Sequence, residues 1–141
     1  MNLGTYWVED VTAPDNLDAK VSEHFKLREF KCKDNSRVVV LNNELVAVLE
    51  MARRHFGKAI KINSGYRTVA YNSALKNSSP NSQHTHGNAA DIAVTDVKPI
   101  DVYRYFNMSY PDTYGVGIYN TFVHIDVRPD KARWDGRTKE K

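Results

Sequence analysis

The sequence predicts an α+β domain: a small antiparallel sheet with helices packed on one face of it. Three observations carry that expectation. Apolar residues recur at helical spacing between Asn43 and Phe56, a strand-like segment covers Ala89 to Val94, and two further strand-like runs, Gly115–Tyr119 and Phe122–Val127, are separated by only Asn120 and Thr121.

Residues 1–24 are acidic and irregular, with Pro14 and several Asp and Asn, and read as an extended N-terminal arm laid over the domain. Between 25 and 40, Phe25, Leu27 and Phe30 read as buried anchors around a short turn, and Lys33-Asp34-Asn35-Ser36 is a turn cluster. The helix from Asn43 places Leu45, Val48, Leu49, Ala52 and Phe56 on one stripe, with Asn42 or Asn43 as N-cap and Gly57 as the stop. Ala59–Asn63 alternates as a strand and runs into the turn Ser64-Gly65-Tyr66-Arg67. Thr68 caps a short second helix through Leu75, which gives way to the loop Asn77-Ser78-Ser79-Pro80-Asn81. Pro99 opens a third helix with Ile100, Tyr103 and Phe106 inward, and the basic, polar tail from Arg128 is expected to fray beyond Trp134. The working domain is therefore expected at 25–134, with an arm at 1–24 and a polar tail at 135–141.

At 141 residues the chain suits one domain with a single modest core. No apolar run approaches the length of a membrane span, so membrane insertion is not expected. The opening MNLGTYWVEDVTAPD lacks both a basic start and an uninterrupted apolar stretch, so no secretory signal is expected and synthesis in the cytoplasm is. Cys32 is the only cysteine, which excludes an intrachain disulfide, and it is expected to be a small buried hydrophobe. The net charge of +3 comes from Lys and Arg spread along the chain, so nucleic acid is not implied. A slight basic excess suits either an anionic polymer or an ordinary solvated surface. A monomer is expected.

The chemistry concentrates in Ser82-Gln83-His84-Thr85-His86-Gly87-Asn88-Ala89-Ala90-Asp91-Ile92. His84 and Asp91 are seven positions apart, with the small residues Gly87, Ala89 and Ala90 between them where bulky side chains would crowd an ion. The last strand adds Phe122-Val123-His124-Ile125-Asp126-Val127. The two-residue period puts Val123, Ile125 and Val127 on one face and His124 and Asp126 on the other; the same rule turns Ala90, Ile92 and Val94 inward and Asp91 outward. Two imidazoles and a carboxylate can then converge. That donor set suits zinc, and three protein ligands leave a fourth position for water, as catalysis requires. A buried, hydrogen-bonded His without an ion is the other reading of the same residues.

The string SxHxxGxAxD from Ser82 to Asp91, followed by a strand bearing HxD at His124 and Asp126, resembles the zinc D-alanyl-D-alanine carboxypeptidases and L-alanyl-D-glutamate endopeptidases, whose fold is shared with the hedgehog signalling domain. Ile62-Asn63-Ser64-Gly65-Tyr66-Arg67-Thr68 is similar to that family's INSGYRT segment, and Tyr71-Asn72 to its YN. His24-Phe25, Glu29-Phe30, Cys32 and Asp34 resemble the HF-x-x-x-EF-x-C-x-D opening of phage and bacterial cell-wall peptidases. The resemblance runs from about His24 to Trp134.

It implies that His84, Asp91 and His124 hold one Zn²⁺ per chain and that Arg67 binds substrate or stabilises the developing oxyanion. A planar guanidinium fork suits a carboxylate or carbonyl oxygen as Lys would not, although Arg67 bridging loop carbonyls is the plainer alternative. Ser82 is expected to bind substrate or to orient His84 rather than to act as a nucleophile, since no base stands near it in sequence. Many members place a general-base carboxylate three residues before the last His, where this chain has Thr121. Asp126 is then the candidate base, with orientation of a ligand as its other natural role; His86 is the second candidate, against an exposed loop His.

The implied partner is a peptidoglycan stem peptide or crosslink, cut by a cell-wall peptidase released by lysis or carried on a phage particle. The rival readings are a zinc-containing wall-binding module without turnover and a carboxypeptidase that trims terminal D-alanine.

Overall fold

Asn42 turns the chain from strand to helix. In the computed structural model, which describes residues 4–10, 14–34, 36–75 and 82–138, its side chain accepts from the Glu44 N–H at 2.9 Å and opens helix α2 (Asn43–Phe56). Gly57 closes the helix in the left-handed region at φ 64°, its N–H donating to the Arg53 carbonyl. Leu45, Val48, Leu49 and Ala52 are buried as the spacing predicts, and Phe56 packs on the core edge.

The main sheet has five strands: β3 (Ile60–Ser64), β4 (Ala89–Val94), β5 (Gly115–Ile118), β6 (Val123–Asp126) and β7 (Ala132–Asp135), in the order β3-β4-β6-β5-β7. Every neighbouring pair is antiparallel except β5 with β7, so the sheet carries one parallel edge. Helices α2 and α4 (Pro99–Ser109) cover one face, packed on Ala90, Ile92, Val116, Val123 and Ile125. The architecture is α+β, with helices on one side of the sheet as expected.

Several elements differ in detail from the sequence reading. In α4 the buried anchors are Val102 and Phe106, with Ile100 and Tyr103 only half-buried. Tyr6–Asp10 is extended and forms a strand, β1, paired antiparallel with β2 (Val38–Asn42) in a separate two-stranded sheet, and the arm then makes one short helical turn, α1 (Pro14–Leu17). In β2, Val39 and Leu41 are buried and Val38 is exposed, an alternation hidden by four apolar residues in a row. Beyond Arg128 the chain does not simply trail off: β7 lies along β5, and the Gly136 N–H donates to the Ile118 carbonyl at 2.7 Å.

Between β3 and the sheet centre, Thr68 caps helix α3 (Val69–Ala74), its hydroxyl accepting from the Tyr71 N–H at 3.1 Å. The loop expected at 77–81 and Asn35 of the turn cluster lie outside the described residues. Phe25, Leu27, Phe30 and Cys32 are all buried.

Glu50 ties the segment before Phe25 to α2. Its buried carboxylate accepts from the Ser22 hydroxyl (2.5 Å) and the His24 N–H (2.6 Å), and the His24 Nδ1 lies 2.8 Å from it. Burial pushes this carboxyl up, but the bonds from Ser22 and His24 outweigh burial and hold it below its ordinary value. A depressed carboxyl contributes stability above its unfolded pKa of about 4.3 and loses it as pH falls through the folded value. Glu50→Gln is expected to cost about 1–3 kcal/mol in urea unfolding at neutral pH, with the gap to wild type closing as the pH is lowered through the carboxylate range. A constant gap across that range would show that the charge of Glu50 contributes nothing.

Candidate metal centre

Strand register brings the first two polar groups together. Asp91 on β4 sits directly opposite His124 on β6, with the core residues Ala90, Ile92, Val123 and Ile125 on the reverse face. The third group arrives from a 3₁₀ turn, Gln83–His86. Ser82 caps that turn by accepting from the His84 N–H at 3.2 Å. Gly87 ends it at φ 72°, where a side chain would be strained and a Cβ would run into the Val40 carbonyl. His84 is thereby aimed inward, 2% exposed, and its ring stands 5.1 Å from that of His124.

The hydrogen bonds on the two rings decide what they offer. His84 Nδ1 lies 2.8 Å from the Gly65 carbonyl, which can only accept, so Nδ1 carries the hydrogen and a neutral ring leaves a lone pair on Nε2. That lone pair points at Asp91 Oδ1, 3.3 Å away. His124 has carboxylates on both nitrogens: Asp126 Oδ2 at 2.7 Å from Nε2 and Asp91 Oδ1 at 3.0 Å from Nδ1. A neutral imidazole has one hydrogen for two acceptors. With that hydrogen given to Asp126, the His124 Nδ1 lone pair, the His84 Nε2 lone pair and the Asp91 oxygen converge on one point, their atoms all within 4.8 Å of one another. Electron pairs so arranged could hold a cation, and two imidazole nitrogens with one carboxylate oxygen suit Zn²⁺ with a fourth position left open.

The mutual electrostatics of these groups favour opposite charges, a carboxylate at Asp91 and a protonated ring at His124, so a proton and a cation compete for the same place. Burial raises the Asp91 carboxyl, but hydrogen bonds and charge from His124 and His84 override it and hold Asp91 well below the usual carboxylate range. Burial likewise lowers His124, and its bonds to Asp126 and Asp91 bring it above its ordinary value.

Arg67 reaches the same cluster from the loop after β3. Its backbone N–H donates to the His84 carbonyl at 3.0 Å; its side chain donates from Nε to Ser64 Oγ (3.1 Å), from Nη1 to Asn72 Oδ1 (3.4 Å) and from Nη2 to Asp91 Oδ2 (3.4 Å). The guanidinium therefore leans on the free oxygen of Asp91 at the rim of the centre.

Asp126 shares the face of His124 but stands on the far side of the ring from Asp91. It is wholly buried, with the Gly115 and Arg128 N–H groups (both 3.1 Å) and Arg128 Nε (2.8 Å) on Oδ1, and Arg128 Nη2 (2.7 Å) and His124 on Oδ2. His86 is exposed and faces a groove of roughly 420 Å³ lined by Thr5, Tyr6, Val8, Val40 and Thr85. Thr121 is exposed in the β5–β6 turn.

Arg128 and Trp134 are the site-face residues that the sequence reading left in the tail. Arg128 was within reach of the same rule that found Asp126, since 124, 126 and 128 fall on one strand face. Trp134 gives no such signal, because β7 has no alternating pattern.

A family model described as Peptidase M15 matches residues 23–126, a span that holds Arg67, all three converging ligands and Asp126. The chain belongs to the peptidase M15 family. Peptidases of this family depend on zinc. No curated protein and no solved structure matches the chain.

Purified protein is expected to carry about one Zn²⁺ per chain. His84→Ala, Asp91→Ala and His124→Ala should each weaken binding by more than the roughly 10–100-fold typical of losing a ligand's hydrogen-bond partner. Elemental analysis after dialysis checks this, and full occupancy in the His124→Ala protein would remove His124 from the ligand set.

Proposed function

We propose that this chain hydrolyses a peptide bond of peptidoglycan, in the stem peptide or the crosslink, with His84, Asp91 and His124 holding a single zinc ion. The observation that carries the reading is the convergence of three electron pairs beside an anchored guanidinium. Membership of the peptidase family supports the reaction class. When bound, zinc supplies a Lewis acid for a carbonyl oxygen and lowers the pKa of water.

The protein's own groups divide the remaining work. Arg67 has five N–H donors, of which three have partners among the described residues, on Ser64, Asn72 and Asp91. The other two remain for a substrate carbonyl or carboxylate, and the three anchors fix the plane in which they are offered. Ser82 holds the turn that aims His84 and makes no nucleophile. Asp126 is assigned to positioning: it accepts from His124 Nε2 and so presents Nδ1 to the metal, and its oxygens are fully engaged. His86 points into the groove beside β1 and β2 and takes no part in proton transfer in this reading.

One observation favours a second reading, a zinc-bearing module that binds wall peptide without cutting it: with Thr121 at the usual base position, no carboxylate among the described residues beyond Asp91 and Asp126 joins the cluster. Incubation with purified cell walls, with released termini identified by mass spectrometry, separates the readings. New termini that disappear in His84→Ala support hydrolysis and tell endopeptidase from carboxypeptidase; binding without release sinks it.

Arg67→Lys is expected to keep zinc and lose about 10²–10³ in rate, because the charge stays while the planar fork goes. Near-normal turnover would leave Arg67 as a loop brace. For the carboxylate, Asp126→Asn is expected to lower zinc affinity and rate together, and His86→Ala to leave both near wild type. A metal-replete Asp126→Asn protein slowed by about 10²–10⁴ would return the proton-transfer role to Asp126.

A further inference from the structure

A guanidinium on the far side of Asp126 from the metal ligands controls how His124 is presented. We propose that Arg128, stacked on Trp134, is a positioning residue for the metal centre: it clamps Asp126 in the orientation that makes His124 give its hydrogen to Nε2 and its lone pair to the metal. The proposal rests on the zinc reading above and deepens it, since Arg128 touches no ligand itself.

The clamp is bidentate. Arg128 Nε donates to Oδ1 at 2.8 Å and Nη2 to Oδ2 at 2.7 Å, and its backbone N–H adds a third bond to Oδ1 at 3.1 Å. Arg128 can only donate, so it requires Asp126 to be the acceptor on both oxygens. Asp126 Oδ2, already receiving Nη2, can then receive only a donor from His124 Nε2, 2.7 Å away. Nδ1 is left bare toward Asp91 and His84. The geometry passes from one rigid fork to a carboxylate plane to a ring tautomer.

Two further features hold the fork in place. The Arg128 guanidinium carbon lies 5.4 Å from the centre of the Trp134 ring, and that ring stands 5.0 Å from His124. Trp134 is in turn fixed by its Nε1–H donating to the Tyr119 hydroxyl at 2.9 Å. Strand β5 keeps room for the assembly: Gly115 faces Asp126 and Gly117 faces both His124 and Trp134. A Cβ on Gly115 would run into the Asp126 carboxylate and come within 2.7 Å of Arg128 Nε, and one on Gly117 would run into the Trp134 indole. Without the Arg128 side chain, Asp126 keeps two backbone donors on Oδ1 and loses the bond that sets Oδ2 against His124.

The test compares Arg128→Gln and Arg128→Lys with wild type and His84→Ala in three measurements: zinc affinity by chelator competition, melting of the zinc-free protein, and the His124 tautomer by ¹⁵N NMR. Arg128→Gln is expected to bind zinc about 10–100-fold more weakly, with His124 no longer held as the Nε2–H tautomer; the zinc-free melting temperature falls too, because buried Asp126 loses its counter-ion, so the tautomer is the deciding readout. Arg128→Lys should recover part of the affinity, because it keeps the charge and loses the fork. Affinity within about twofold of wild type in Arg128→Gln overturns the proposal. So does a fall in affinity matched by a fall in zinc-free stability with the Nε2–H tautomer intact, which marks a fold brace. If Arg128→Gln does not fold, Arg128→Lys decides alone: weaker zinc with a changed tautomer supports the clamp, and unchanged zinc overturns it. Failure of wild type to bind zinc, or wild-type affinity in His84→Ala, sinks the zinc reading itself and the clamp with it.

Discussion

The centre of the molecule depends on one buried carboxylate. Asp91 is 8% exposed, in a sheet whose other face is the hydrophobic core, and an unpartnered charge there would cost several kcal/mol. It is tolerated because Oδ2 lies beside the Arg67 guanidinium and Oδ1 faces the His84 and His124 nitrogens, where a proton or a cation completes the contact. Each of those partners comes from a different part of the chain, so satisfying Asp91 also docks the 3₁₀ turn, strand β6 and the loop after β3 onto strand β4. The same contacts serve stability and chemistry, which is why the residues that look catalytic are also those that close the fold.

Register makes the arrangement all-or-none. Pairing Asp91 with His124 places Ile92 opposite Val123 and Ala90 opposite Ile125, all in the core. A slip of one residue would put His124 among the helices and Ile125 at the metal centre, and burial of Ile92, Val123 and Ile125 opposes it. On the site face the volume rule reverses. The helix-covered face is filled by large side chains, whereas Gly115 and Gly117 leave β5 bare so that Asp126, Arg128 and Trp134 can lie over it.

What was legible in the sequence follows from the range of the rules used. Two-residue periodicity sorts each strand into faces, so Asp91, His124 and Asp126 could be placed on the site face from local pattern alone. Helix α2 was equally legible, since its caps and apolar stripe are encoded within the segment. The strands β1, β2 and β7 were not, because their pairing is set by distant partners: β7 runs parallel to β5, and β2 begins with four apolar residues in a row, which mask its alternation. The Arg67 anchors Ser64 and Asn72 are only three and five residues away, but they sit where strand gives way to loop and loop to helix, and no periodic rule places side chains across such a bend.

The separation of Asp91 from Asp126 shows where face assignments stop being sufficient. Both carboxylates share a face with His124, and periodicity cannot tell which one lies beside the metal. The imidazole itself tells them apart, because its two nitrogens point in different directions. The cross-strand neighbour Asp91 meets Nδ1, while Asp126, two residues along the same strand, meets Nε2. Only the Nδ1 side also holds His84 Nε2, so only that side gathers three donors. On the other side Arg128 and two backbone N–H groups occupy Asp126. Two acids on one sheet face thus take opposite roles in the proposed centre, one as a ligand and the other as the group that decides which nitrogen the ligand presents.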